Sequence, residues 1–126
     1  MKPSSLRKYM SAAGAPELAK TYEGRRCEES VVVTVDGRPL PERKDLYNHS
    51  PTGFEWGYGG SGPAQLALAL LADHLGDGDQ ALALYQEFKR RVVAALPFPW
   101  WKLTSSDIEK VLKKIGRMPA DALFTE

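Results

Sequence analysis

The chain has 126 residues, of which 43% are hydrophobic and 26% charged, a balance that indicates a globular domain rather than a disordered chain. The net charge of +1 lacks the strong basic excess of nucleic-acid-binding domains, so nucleic acid is not an expected partner. The single cysteine, Cys27, excludes an internal disulfide and a multi-cysteine zinc site, which favours a cytoplasmic protein. The longest apolar run, 66–72, is too short to predict a membrane span.

Residues 1–18 are predicted to be a flexible N-terminal arm, because they combine Lys, Pro and small residues without apolar periodicity. Residues 19–126 are predicted to form a single α+β domain. Its first strand begins at Thr21 and ends near Cys27, and the β-branched run 30–35 is the clearest strand of the chain. Asp36-Gly37 then predicts a tight hairpin turn, and prolines restrict the return strand to a short edge. We therefore expect a small antiparallel sheet of three strands.

Three helices are predicted in the C-terminal half, packed with the sheet. The first, 64–74, is apolar on almost every side and ends at Gly76. The second begins at Asp77, a typical N-cap residue, with Gln80 three residues later at the spacing of a capping box. The third begins after Thr104, another N-cap residue, and ends at Gly116. Pro97 and Pro99 end the second helix, and Trp100 and Trp101 are interpreted as part of an extended linker before the third.

The segment 53–62 is the most unusual in the chain, because five of its ten residues are glycine and three are aromatic. A glycine-rich loop that ends at a helix N-terminus offers free N–H groups to an anion. In this interpretation the loop binds a phosphate, aromatic rings stack on a base and an arginine pairs with the phosphate; the residues are Gly59, Gly60, Ser61, Gly62, Trp56, Tyr58, Arg25 and Arg26. The alternative is a packed corner in which glycines let the backbone approach the rings. If Gly60 has a positive φ, Gly60→Val is expected to be disruptive.

Each of the other candidate residues has a structural interpretation beside its functional one. Glu55, between two aromatic residues, has either a pKa raised by burial or an ion pair with Arg25 or Arg26. Ser61 lies in a Gly-Gly-Ser-Gly run that resembles a nucleophile elbow, but no strand precedes it, so we expect a capping role. Trp100 and Trp101 are either a partner-binding hot spot or a pair with one ring in the core and one half exposed. The histidines and Cys27 lack metal-ligand spacing, so we expect no metal and no cofactor.

The block 50–69, SPTGFEWGYGGSGPAQLALA, resembles the signature of a family of small uncharacterised proteins carried by bacteria, phages and other mobile elements. The segment 22–25, the pair Phe88-Lys89, and Trp101 with Leu103 are also similar to that family. The resemblance implies a domain of unknown function whose defining feature is the glycine-aromatic loop. It supplies no catalytic residues. A mobile-element setting makes host-facing partners plausible.

Three functions follow, in order of preference. The first is a non-enzymatic binding protein that contacts a host or element-encoded protein, including an anti-defence protein that blocks a host complex. The loop and the Trp100-Trp101 segment would carry its surface. The second is a protein that binds or sequesters a phosphate-bearing small molecule, such as a nucleotide, at residues 59–62. The third is a small hydrolase that uses Glu55 or Ser61.

Overall fold

The computed structural model describes residues 20–116, which form a mixed α+β fold with a four-stranded antiparallel sheet and three helices. The predicted arm, 1–18, lies outside the described residues. The strands are β1 (Thr21–Cys27), β2 (Ser30–Val35), β3 (Arg38–Pro39) and β4 (Trp100–Thr104). The helices are α1 (Ser61–Leu75), α2 (Gly78–Arg91) and α3 (Ser105–Lys114), with a 3-10 turn at Val93–Ala95.

The sheet has the strand order β3-β2-β1-β4, so the prediction of three strands is wrong by one. The additional strand is β4, which lies in the segment interpreted as an extended linker. It pairs antiparallel with β1, with Tyr22 opposite Leu103 and Gly24 opposite Trp101. Because its partner is distant in sequence, no turn signal beside β4 indicates the pairing. The β3 strand is short and at an edge, as predicted.

One face of the sheet is buried and the other is not. Tyr22, Val33, Val35 and Trp101 alternate inward and are at most 6% exposed. The helices cover this inner face with apolar side chains, and α1 is buried continuously from Gly62 to Ala72. The hydroxyl of Tyr22 donates to Asp73 Oδ2 (2.7 Å), and burial, reinforced by that carboxylate, raises the pKa of Tyr22 far above its usual range.

The helix ends follow local capping rules with one exception. The side chain of Asp77 accepts hydrogen bonds from the N–H groups of residues 79 and 80, as an N-cap does. Thr104 and Asp107 form a reciprocal capping box at the start of α3. The exception is α1, whose N-cap is Gly60 without a side-chain hydrogen bond, so the capping role expected for Ser61 is wrong. Within residues 20–116, no helix combines the length and apolar character required to span a membrane.

Candidate functional site

Trp56 fixes the glycine-aromatic loop to the segment before β4. Its ring is fully buried, and its indole N–H donates to the carbonyl oxygens of Pro97 and Phe98, both at 2.9 Å. It also meets the ring of Trp101 edge-on, with centroids 5.7 Å apart. The indole N–H is thus used within the protein, and no part of the ring is accessible to solvent. Trp56 is therefore not exposed for stacking on a base.

Glu55 forms an ion pair, which confirms that interpretation and identifies Arg26 as the partner. Arg26 Nη1 donates to Glu55 Oε2 (3.0 Å), and Nη2 lies 2.8 Å from Oε1. The guanidinium also lies over the ring of Phe98, 3.9 Å from its centroid, and over that of Trp56 at 4.7 Å. Cation–π contacts and a two-point carboxylate pair hold this side chain in place. The positive charge of Arg26 is neutralised by Glu55, so the guanidinium is not free to pair with a phosphate.

The glycines of the loop serve close packing at two positions. Gly57 has a φ of 88°, a left-handed conformation that disfavours side chains. Gly62, in the first turn of α1, lies against Glu55, and a Cβ at position 62 would be 2.6 Å from Glu55 Cβ and 3.2 Å from its backbone nitrogen. Gly60 differs, because its φ of 177° is extended. The premise of a positive φ at Gly60 is therefore wrong.

This difference predicts unequal effects of substitution at neighbouring glycines. Gly62→Ala should lower the free energy of unfolding by about 2 kcal/mol, because the added methyl group overlaps Glu55. Gly60→Ser should change it by less than about 0.5 kcal/mol, because only the half-exposed ring of Tyr58 is in the way and serine is a good N-cap. Urea unfolding of both variants tests this. Equal losses would contradict the packed geometry at position 62.

A groove of about 570 Å³ lies between the β1–β2 turn and residues 52–55. Its lining carries one cation among the described residues, Arg26, against four carboxylates: Glu28, Glu29, Glu42 and Glu55. The exposed Cys27 also lies on its wall. The excess of negative charge beside the loop disfavours an anionic ligand at this place.

Sequence reasoning missed Gln65, a polar residue that is fully buried within apolar α1. Its Oε1 accepts hydrogen bonds from the N–H groups of His49 (2.7 Å) and Ser50 (3.2 Å). Its Nε2 donates to the carbonyl oxygens of Glu42 (2.7 Å) and Tyr47 (3.0 Å). Every polar atom of the amide is therefore used to hold the segment 42–50 against α1. The signal that could have identified it is one polar letter in an otherwise apolar run.

The two histidines have structural partners. His49 stacks on Tyr47 with ring centroids 4.2 Å apart and is hydrogen-bonded to the hydroxyl of Tyr85. Burial, followed by the charge of Lys89, lowers the pKa of His49. His74 Nε2 lies 2.7 Å from a carboxylate oxygen of Glu109. In the described part of the chain, no group of three or more His, Cys, Asp or Glu side chains has the arrangement of a metal site.

Ser61 lies at the opposite end of α1 from His74. His74 follows Ser61 by thirteen positions in the helix, which corresponds to about 20 Å along its axis. A serine hydroxyl needs a base within hydrogen-bond distance to become a nucleophile. This pair is therefore too far apart to form a catalytic dyad.

The outer face of the sheet presents an exposed row of three side chains from adjacent strands. Arg25 of β1 is opposite Trp100 of β4 on one side and opposite Val32 of β2 on the other. Trp100 and Val32 are each 46% exposed, whereas Trp101, the neighbour of Trp100, is 2% exposed. The two tryptophans thus divide between core and surface, as one of the two interpretations predicted. We call Trp100, Arg25 and Val32 the outer-face row.

The candidate residues thus do not form one site. One group lies in the packed corner under the loop: Trp56, Glu55, Arg26, Gly62 and Trp101. A second group surrounds the start of α1, with Gly60 partly exposed and the others exposed: Tyr58, Gly59, Gly60 and Ser61. Arg25 and Trp100 belong to the outer-face row. Arg25 has no ion-pair partner among residues 20–116.

Comparison with known proteins yields one finding. None of the curated proteins and none of the solved structures matches the chain. A family model does match, that of DUF6166, described as a family of unknown function, and it covers residues 22–114. This range extends from β1 to the end of α3, and so includes the loop, the packed corner and the outer-face row. The chain therefore belongs to the DUF6166 family of unknown function.

Proposed function

We propose that this protein is a non-enzymatic binding protein that acts by contact with another protein, and that the outer-face row carries the contact. The supporting observation is that Trp100, Arg25 and Val32 are contiguous, exposed and without covering helices among the described residues. Tryptophan and arginine are the residue types most enriched at the energetic centres of interfaces. Arg25, which has no ion-pair partner within residues 20–116, places a charge between two apolar side chains, a combination suited to recognition of a complementary surface.

The partner we propose is a host or element-encoded protein, with obstruction of a host defence complex as the most specific form of this role. This part of the proposal comes from the resemblance of the block 50–69 to proteins of mobile elements. Blocking a complex requires only occupation of a surface, with no bond made or broken. An exposed row on a hydrogen-bonded sheet meets that requirement.

The loop residues favour this proposal over a nucleotide site. Trp56, which would have stacked on a base, is fully buried. Arg26 is engaged by Glu55, and Arg25 is on the outer face. Residues 59–62 retain only the backbone groups of a helix start, and a helix start alone does not identify a ligand.

The experiment compares two exposed aromatic residues in different places. Proteins that copurify with the full chain are identified, and their affinities are then measured for the parent, Trp100→Ser and Tyr58→Ser. Trp100 and Tyr58 are 46% and 48% exposed, so the two substitutions remove similar accessible rings. We expect Trp100→Ser to weaken binding at least tenfold, which is about 1.4 kcal/mol, and Tyr58→Ser to have little effect.

Two results would contradict the proposal. Retention of full affinity by Trp100→Ser would remove the outer-face row from the interface. A rise in melting temperature with a nucleotide, following mass action, would instead support the small-ligand alternative. Expected melting temperatures of both serine variants are close to that of the parent, because neither ring belongs to the core.

A further inference from the structure

Among residues 20–116, the edge strand β4 leaves backbone groups without a partner over a window of two residues. Arg26 N–H donates to the carbonyl of Pro99 (3.0 Å), and Ser105 N–H donates to that of Lys20 (3.0 Å). Antiparallel strands alternate residues that face the partner strand with residues that face away. The backbone N–H and C=O groups of the odd-numbered residues of β4 are therefore directed towards β1. The N–H and C=O groups of Trp100 and Lys102 point away from it, towards the free side of the sheet.

Both ends of this two-residue window are closed by other hydrogen bonds. Before it, the carbonyl of Phe98 accepts from Trp56 Nε1 (2.9 Å) and from Arg26 Nε (3.2 Å). After it, the N–H of Thr104 donates to Asp107 Oδ2 (2.9 Å). The free edge thus offers two N–H and two C=O groups, from Trp100 and Lys102, with no partner for them among the described residues. An open edge of this kind is a template for another strand.

We propose that the added strand is β4 of a second copy of this chain, antiparallel and in a single register. When Trp100 of each copy is opposite Lys102 of the other, each pair exchanges two hydrogen bonds. The two pairs together use every open group of both edges. The two-fold axis then passes beside Trp101, and the interface has the self-complementarity that a symmetric dimer requires.

The two neighbouring registers are less favourable, because each leaves an open backbone group opposite one that is already hydrogen-bonded. Pairing Lys102 with its own copy makes only one such exchange, because Trp100 then meets Thr104, whose N–H is already bonded. Pairing Trp100 with its own copy places Lys102 opposite Phe98, whose carbonyl is already bonded. The first of these registers also opposes two like charges.

The side chains agree with the proposed register. Trp100 and Lys102 are both exposed and project from the outer face. In the dimer each lysine lies beside a tryptophan of the other copy, a cation–π arrangement that occurs twice. With a net charge of +1 per chain, repulsion between the copies is small. Dimerisation joins the two sheets into one surface that carries two outer-face rows. The inference goes beyond the proposed function and does not depend on it.

The first test is the mass of the full chain by sedimentation equilibrium, from micromolar to millimolar concentration. We expect a concentration-dependent rise from 13.9 kDa towards twice that value. Trp100→Lys should keep the chain monomeric, because it places lysine opposite lysine. The matched control, Val32→Lys, adds the same charge to an equally exposed position away from the edge and should still dimerise. A monomeric parent at all concentrations, or equal dissociation of both variants, would overturn the proposal.

The second test determines the register by disulfide formation with oxidised glutathione, in a Cys27→Ser background. A mixture of Trp100→Cys and Lys102→Cys chains should give a cross-linked heterodimer, in which the other Trp–Lys pair is retained. Each variant alone should give little cross-linked product. Efficient cross-linking of either variant alone would contradict the register. Because mass and cross-linking are measured without any other protein, their failure is distinguishable from failure of the proposed function.

Discussion

Replacement of Gln65 by leucine is expected to lower the free energy of unfolding by about 4 kcal/mol, among the largest single-residue effects in this chain. The substitution keeps the volume of the side chain but removes four hydrogen bonds. It leaves two N–H groups and two carbonyl oxygens of the segment 42–50 to be satisfied elsewhere. The cost arises from those stranded backbone groups, because Gln65 is fully buried and water cannot replace it without movement of the segment.

Gln80→Leu is the matched control, since Gln80 is on α2 with an exposed side chain. It makes the same chemical change without removing a buried hydrogen bond, so its effect should be within about 0.5 kcal/mol. Urea unfolding gives both values. Hydrogen exchange of the His49 and Ser50 amides should accelerate in the Gln65 variant. If the two leucine variants proved equally stable, the amide network would not be what holds this segment.

Replacement of Gly24 by alanine is expected to cost about 3 kcal/mol through overpacking. Gly24 is opposite Trp101 in the β1–β4 pair, and the indole ring occupies the space that a side chain at position 24 would need. A Cβ at position 24 would be 2.3 Å from both Cε2 and Nε1 of that ring. The ring is 2% exposed and packs edge-on against Trp56, so a shift at Trp101 would disturb the corner beneath the loop.

Gly59→Ala is the control for this prediction, because no atom beyond the adjacent residues lies within 4 Å of a Cβ built at position 59. Thermal and urea unfolding should show little change for it. A double-mutant cycle with Trp101→Leu gives a sharper test. The smaller side chain relieves the overlap, so the cost of Gly24→Ala should fall in that background. An unchanged cost would show that the overlap with the indole is not the cause.

The contacts of the glycine-aromatic loop are mostly internal to the protein. Trp56, Glu55 and Gly62 are held by contacts within the protein, and their packing positions α1 against the sheet. The exposed part of the loop is limited to residues around Tyr58 and Ser61. The contact surface we propose is therefore on the opposite side of the sheet from the packed corner. The strand β4 links them, since Trp101 faces inward and Trp100 outward.

The sequence by itself determined the features that depend on local backbone geometry. Asp36 and Gly37 have positive φ values of 50° and 82°, as the predicted hairpin turn requires. The Asp77 cap and the Thr104–Asp107 capping box were also predictable, because their donors and acceptors lie within three residues. The mixed α+β class follows from the same local signals.

Only the tertiary structure decided which distant groups meet. The pairing of β4 with β1, the choice of Arg26 rather than Arg25 by Glu55, and the four bonds of Gln65 join segments far apart in the chain. From the sequence alone, many residues are equally suitable as the partner of each of these groups. The selection is made when the core packs, because burial removes water as an alternative partner and makes an unpaired polar group costly.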